Sequence, residues 1–284
     1  MSNPDLFEWE DFYREFAHKL LEYRSNRGEL IEKIKRAFEK AKCKLPTLGQ
    51  GELSDIDPFT VFALFNRRLG GRDEELDRKK RIAIIQGIAE EFNVKSKIPH
   101  NFGGIPLLDP MNVRFYGPIG ERHKEDIDNL WKLFEAALKY SKEPTRENRT
   151  MFSRYFDIAI KMKGSGTGKI TSALFWIAPN SFVPLDKYSR DYIYKSGEIP
   201  SEFLEKLPEI RSNEKISADK YLKIVDILKE CFKSGRTKVK NFKELSYKAW
   251  TGLPPEKYNK EEFLKEVFIT EEEYDDLVGL LKSK

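Results

Sequence analysis

Apolar residues recur at helical spacing along most of the chain. In residues 6–24, Leu6, Phe7, Trp9, Phe12, Phe16, Leu20 and Tyr23 share one face, which predicts an amphipathic helix. A second helix is expected over 29–42, with Leu30, Ile31, Ile34, Phe38 and Ala41 on its inner side and Gly28 at its start. Asp57-Pro58 is a strong start signal, pairing an N-cap acceptor with a residue whose φ is already helical. The run it opens, through Val61, Phe62, Leu64 and Phe65, is too apolar for a surface helix and should be buried. Further helices are expected over 73–92, 123–141, 145–162, 187–195 and 216–233. The aromatic residues on these faces are assigned to the core.

The pattern breaks over 98–120. Phe102-Gly103-Gly104-Ile105-Pro106 and Phe115-Tyr116-Gly117-Pro118 exclude regular helix and point to an ordered loop, with room for a short β pair. A long loop inside a compact domain often carries function.

Residues 164–192 hold the most suggestive chemistry. Gly164, Gly166 and Gly168 precede Lys169 and Thr171, and the stretch closes on Asp186-Lys187-Tyr188-Ser189-Arg190. Glycine-turn amides beside cationic side chains suit a phosphate. A nucleotide-binding P-loop is excluded by spacing: Lys163 stands where the first glycine belongs, and Ile170 follows the Gly168-Lys169 pair in place of Ser or Thr. A turn that merely joins two helices explains the glycines equally well. The order of hairpin, lysine, apolar helix and Pro-x-Asp at the next helix start resembles the helix-hairpin-helix element of DNA glycosylases, without the Leu-Pro that usually precedes its first glycine. That resemblance places Lys169 and Asp186 at catalytic positions. Asp186 also reads plainly as an N-cap for the 187–195 helix. The fold class expected is mainly α: a multi-helix globular fold with a helix-hairpin-helix-like element and a long Gly/Pro-rich loop.

Composition narrows the setting. The 284 residues suffice for a sizeable core. Charged residues reach 35% and glutamine occurs only as Gln50 and Gln86, the usage of a thermophile's surface. A net charge of +4 permits a nucleic-acid partner without demanding one. Cys43 and Cys231 fit a reducing cytoplasm better than a disulfide framework, and the isolated His18, His100 and His123 argue against a metal site. No apolar run reaches membrane-spanning length. No cofactor is expected.

Asp57-Pro58-Phe59-Thr60 with Phe65-Asn66-Arg67, then Phe102-x-Gly104-Ile105-Pro106, Asp126-Ile127-Asp128-x-Leu130-Trp131 and Leu174-Phe175-Trp176-Ile177 recur in this order in one group. The chain resembles the N-terminal region of McrB-type AAA+ restriction proteins. Farther on, the basic joint at Gly235-Arg236-Thr237-Lys238 and the Phe242-Lys243-Glu244-Leu245 segment extend the likeness. The resemblance implies duplex DNA as ligand, with an AAA+ motor and an associated nuclease as partners. It also implies a helical recognition region over 1–235, with a core at about 55–195, and a connector over 236–284 leading to a motor absent from the sequence. Neither Walker motif occurs, so no nucleotide hydrolysis is expected of the chain alone.

Within that resemblance, Lys163, Lys169, Lys187, Arg190, Arg67 and Arg68 are the expected phosphate contacts, with Asn66 beside them and the turn of Gly164, Gly166, Gly168 and Thr171 supporting them. Selecting a modified base calls for an aromatic platform, for which Tyr188 and Tyr116 are preferred over Trp176 and Phe115. Two other classes stand beside this reading: a glycosylase acting through Lys169, Asp186 or both, and a protein-interaction scaffold.

Overall fold

The computed structural model describes residues 6–48, 53–71, 73–118 and 120–252. Residues Met1–Thr251 form one compact unit, so the boundary expected after residue 235 falls later, beyond the segment that carries Trp250. Residues 253–284 of the expected connector lie outside the described residues.

The chain is mainly helical, and no strand forms among the described residues. Helix α1, Trp9–Leu21, buries Trp9, Phe12, Tyr13, Phe16 and Leu20. Helix α2, Arg27–Lys40, starts earlier than Gly28 suggests, because the Asn26 side chain accepts the Glu29 amide and serves as the cap. Helix α3, Pro58–Ala63, is buried throughout, with Asp57 accepting from the Phe59 and Thr60 amides. Helix α4, Glu74–Phe92, is capped by Asp73 and packs on α2, where Gly87 meets Ala37.

Helices α5, Asp126–Lys142, and α6, Arg146–Ala159, pack side by side. Helix α7, Thr167–Ile177, lies at the centre, touching α1, α3 and α5, and Ile170 through Ile177 are all buried. Helix α8, Lys187–Lys195, has the expected bounds. A four-residue α9, Ser201–Leu204, follows and escapes periodicity altogether. Helix α10, Ala218–Lys233, covers α6, and α11, Phe242–Gly252, closes the unit.

Aromatic rings bind these layers together. Phe16 of α1 lies 5.2 Å from Phe62 and 5.2 Å from Phe92, joining α1 to α3 and α4. A second cluster stacks Phe156 on Tyr221 at 5.2 Å and Phe152 on Phe182 at 5.1 Å. Each fully buried ring contributes about 2–3 kcal/mol through the water it gives up.

Between Phe92 and Asp126 no described residue is helical, yet the segment is tethered. Trp9 donates its indole N–H to the Gly103 carbonyl at 3.1 Å, and Trp176 donates to Pro106 at 3.0 Å. Ser246 of α11 donates to the Gly104 carbonyl at 2.7 Å. Gly104 takes a φ of +77°, and a Cβ there would come within 3.1 Å of the Tyr247 amide nitrogen, so glycine is needed where loop meets helix.

Candidate functional site

The structure turns several of the expected contact residues inward. Lys169 donates its ammonium to Asn112 Oδ1 at 2.8 Å, to the Gly164 carbonyl at 2.9 Å and to the Arg114 carbonyl, and it lies 4.9 Å over the Phe115 ring. Burial pulls its pKa down to about 8, against the pull of the Asp57 carboxylate. Thr171 is fully buried; its hydroxyl donates to the Thr167 carbonyl and accepts the Leu185 amide at 2.8 Å. Asn66 is fully buried, and its Oδ1 accepts the Tyr13 hydroxyl at 2.7 Å. Tyr116 is buried under Arg122, and burial raises its hydroxyl pKa well above the ordinary range. Arg67 is half-buried, donating to the Leu64 carbonyl. Lys163 is exposed but paired with Glu121.

Gly164 and Gly168 have packing roles. Gly164 takes a φ of +86°, and a Cβ there would meet the Tyr116 carbonyl at 2.9 Å. Gly166 caps α7 in open space, and at Gly168 a Cβ would come within 3.3 Å of Asp186 Cα. Asp186 caps α8, accepting the Ser189 amide at 3.1 Å and the Ser189 hydroxyl at 3.0 Å. Burial raises its carboxyl pKa, with those hydrogen bonds opposing. Lys169 and Asp186 thus already hold structural hydrogen bonds. Neither lines the cavity described next.

Besides Lys163, the expected contacts Arg68, Lys187 and Tyr188 are exposed and Arg190 is partly so. Arg68 is exposed and lines a cavity of about 760 Å³ with Arg78 and Arg81 of α4, His100, Asn101 and Phe102 of the irregular segment, and Trp250 of α11. Arg81 is fixed there: its guanidinium donates to the Phe65 carbonyl at 2.9 Å and to Asp77 at 2.6 Å, and it sits 5.2 Å over the Phe102 ring. Arg78 is held bidentately by Glu75. Arg68 has no such carboxylate among the described residues.

Trp250 lines the same cavity. The Trp9, Trp131 and Trp176 indoles each donate to a backbone carbonyl. The Trp250 Nε1–H is buried without an acceptor among the described residues. A buried donor left unmet costs about 1–3 kcal/mol. Tyr188, 41% exposed, packs on this indole at 4.6 Å. Its neighbours Lys187 and Arg190 line a second recess of about 540 Å³, and Arg190 Nε is likewise buried without a partner among the described residues.

Trp250, Phe102, Asn101 and His100 were not singled out as site residues by sequence. They reach the cavity from segments far apart along the chain, and no local spacing reports such a meeting. Among the described residues no group of three His, Cys, Asp or Glu side chains converges to hold a metal ion. No helix among them is long and apolar enough to cross a membrane.

Fold and site together define a mainly helical unit with a cavity lined by guanidinium and aromatic side chains and by the Glu74 and Asp77 carboxylates. The chain belongs to the family described as "Domain of unknown function (DUF8425)", matched over residues 9–252, a span that holds all eleven described helices and the residues lining the cavity. No curated protein and no solved structure matches the chain significantly.

Proposed function

We propose that this chain is the DNA-specificity module of a modification-dependent restriction system, reading a modified base or site in duplex DNA. In this reading it works in the cytoplasm with an AAA+ motor and an associated nuclease, as the motif order in the sequence suggests. One observation carries the reading. A single cavity brings the guanidinium of Arg68, without a carboxylate partner among the described residues, to an indole whose N–H lacks an acceptor. A phosphate satisfies the first, and the second offers a ring on which a base stacks. The volume, about 760 Å³, falls within the range of small-ligand sites and admits a whole nucleotide.

Charge supports the same partner. Gly252–Lys284 holds nine acidic and five basic side chains, so the net +4 of the chain leaves +8 on Met1–Thr251. Beyond Tyr188, Lys187 and Arg190 line a recess shared with Asp191 and Glu209, and a phosphate backbone passing Tyr188 would meet their charge.

The test is a fluorescence-polarisation titration against short duplexes that are unmodified, methylated at cytosine or adenine, or carry an oxidised or deaminated base. Arg68→Ala should weaken all of them alike and flatten the salt dependence by about one unit of slope. Trp250→Ala should erase the preference among duplexes, a loss of roughly 1–3 kcal/mol for the preferred one. Absence of salt-sensitive binding to every duplex would sink the proposal. Strand scission after alkali would instead move the activity to a glycosylase.

A further inference from the structure

Met111 is 94% exposed, whereas the other exposed large apolar side chains among the described residues, Leu76, Met151 and Tyr188, are 40–41% exposed. A lone apolar group on a surface is ordinary; the way this one is mounted is not. It sits at the tip of the turn Asp109-Pro110-Met111-Asn112. Asp109 Oδ1 accepts the Met111 amide at 2.7 Å, the Asn112 amide donates to the Asp109 carbonyl at 3.0 Å, and Pro110 fixes its own φ. Both feet of the turn are held from the interior. The Leu108 amide donates to the carbonyl of buried Asn66 at 2.9 Å, and Lys169 donates to Asn112 Oδ1 at 2.8 Å. The tip is therefore stiff, and the side chain at its apex is offered outward.

Three cationic side chains belong to the segments beside the turn, Arg67 through its bridge to Leu108 and Lys169 through Asn112. Arg67 donates to the Leu64 carbonyl at 3.1 Å, Arg114 to the Leu48 carbonyl at 3.1 Å, and Lys169 to the Gly164 carbonyl at 2.9 Å. The Lys169 ammonium already donates to three acceptors, and half-buried Arg67 also feels Asp77, so these cations act on an outside anion only through their field, which the exposed Asp109 carboxylate of the turn opposes. The carboxylate acting on Lys169 is that of Asp57, which is buried. The turn also adjoins the cavity: Leu107, next to the Leu108 foot, lines it together with Arg68 and Trp250.

We infer that Met111 is a wedge that enters a base step of bound duplex DNA, next to the nucleotide taken into the cavity. The inference rests on the DNA-reading function proposed above. Drawing a base out of the duplex leaves a gap in the stack, and an unbranched, polarisable thioether is suited to fill it. Exposed Arg68, in the cavity that Leu107 also lines, holds the flanking phosphate while the step opens.

The experiment uses the full chain and short duplexes carrying 2-aminopurine, whose fluorescence rises on unstacking, beside a methylated, oxidised or unmodified base. Wild type should bind and raise the fluorescence several-fold. Met111→Ala should lose most of that rise and weaken binding about tenfold, with unchanged salt slope because no charge is removed. Met111→Leu, which restores apolar volume, should recover both. A Met111→Ala protein that binds and brightens the probe like wild type overturns the wedge and leaves DNA reading standing. Failure of wild type to bind any duplex overturns both.

Discussion

Asp57 caps α3 while fully buried, its carboxylate accepting from two amides and the Thr60 hydroxyl. Burial raises its pKa from the ordinary 3.8 to about 6, against the hydrogen bonds and the nearby Lys169 charge. Below about pH 6 the folded chain takes up a proton that the unfolded chain does not, so this group adds stability as pH falls. Asp57→Asn keeps a capping oxygen and cannot titrate. Wild type should therefore gain about 1 kcal/mol relative to Asp57→Asn between roughly pH 7 and pH 5. Denaturant melts at the two pH values read this directly, and parallel behaviour of the two proteins would refute it. The same residue shows why a cap is easier to read than a contact. Asp57, Asp73, Thr145, Asp186 and Ser217 announce helix starts locally, through side chains that accept amides two or three residues on.

At the scale of elements, the α2–α4 contact is set by a residue without a side chain. A Cβ at Gly87 would lie 2.4 Å from the Ala37 carbonyl oxygen, and backbone cannot swing aside. Gly87→Ala should destabilise by about 3 kcal/mol. Gly28→Ala, in α2 with nothing within 4 Å of its Cβ, should stabilise by about 0.5–1 kcal/mol. Thermal melts of the two single variants separate packing from propensity, and similar effects would refute the contact. Most helices were legible because their apolar faces repeat at helical spacing, and α9 was not because four residues hold barely one turn. Facing was the harder question. Lys169 and Thr171 carry the residue types of a phosphate site, but α7 is enclosed nearly all round, and its pattern does not report which polar groups turn inward. Trp250 joins Arg68 in lining the cavity only because of how α11 docks, which no local pattern reports.

Over the whole molecule, charge is divided unevenly along the sequence: +8 on Met1–Thr251 and −4 on Gly252–Lys284. Ending the chain after Thr251 removes the acidic segment and should tighten DNA binding at low salt, an advantage that shrinks as salt rises. Titration of both lengths at two ionic strengths decides it; equal affinities throughout would show that the segment's charge does not act on the bound DNA. The tethers of the irregular segment have a further consequence. Gly103, Gly104 and Pro106 are held by Trp9, Trp176 and Ser246, the last of them 142 residues away. A nascent chain leaving the ribosome holds the early tethers well before the late one, and Trp250 is among the last residues of the unit to emerge. Until α11 has docked, one wall of the cavity is missing, so a truncated or interrupted translation product carries the lysines and arginines without the aromatic face that would make them selective.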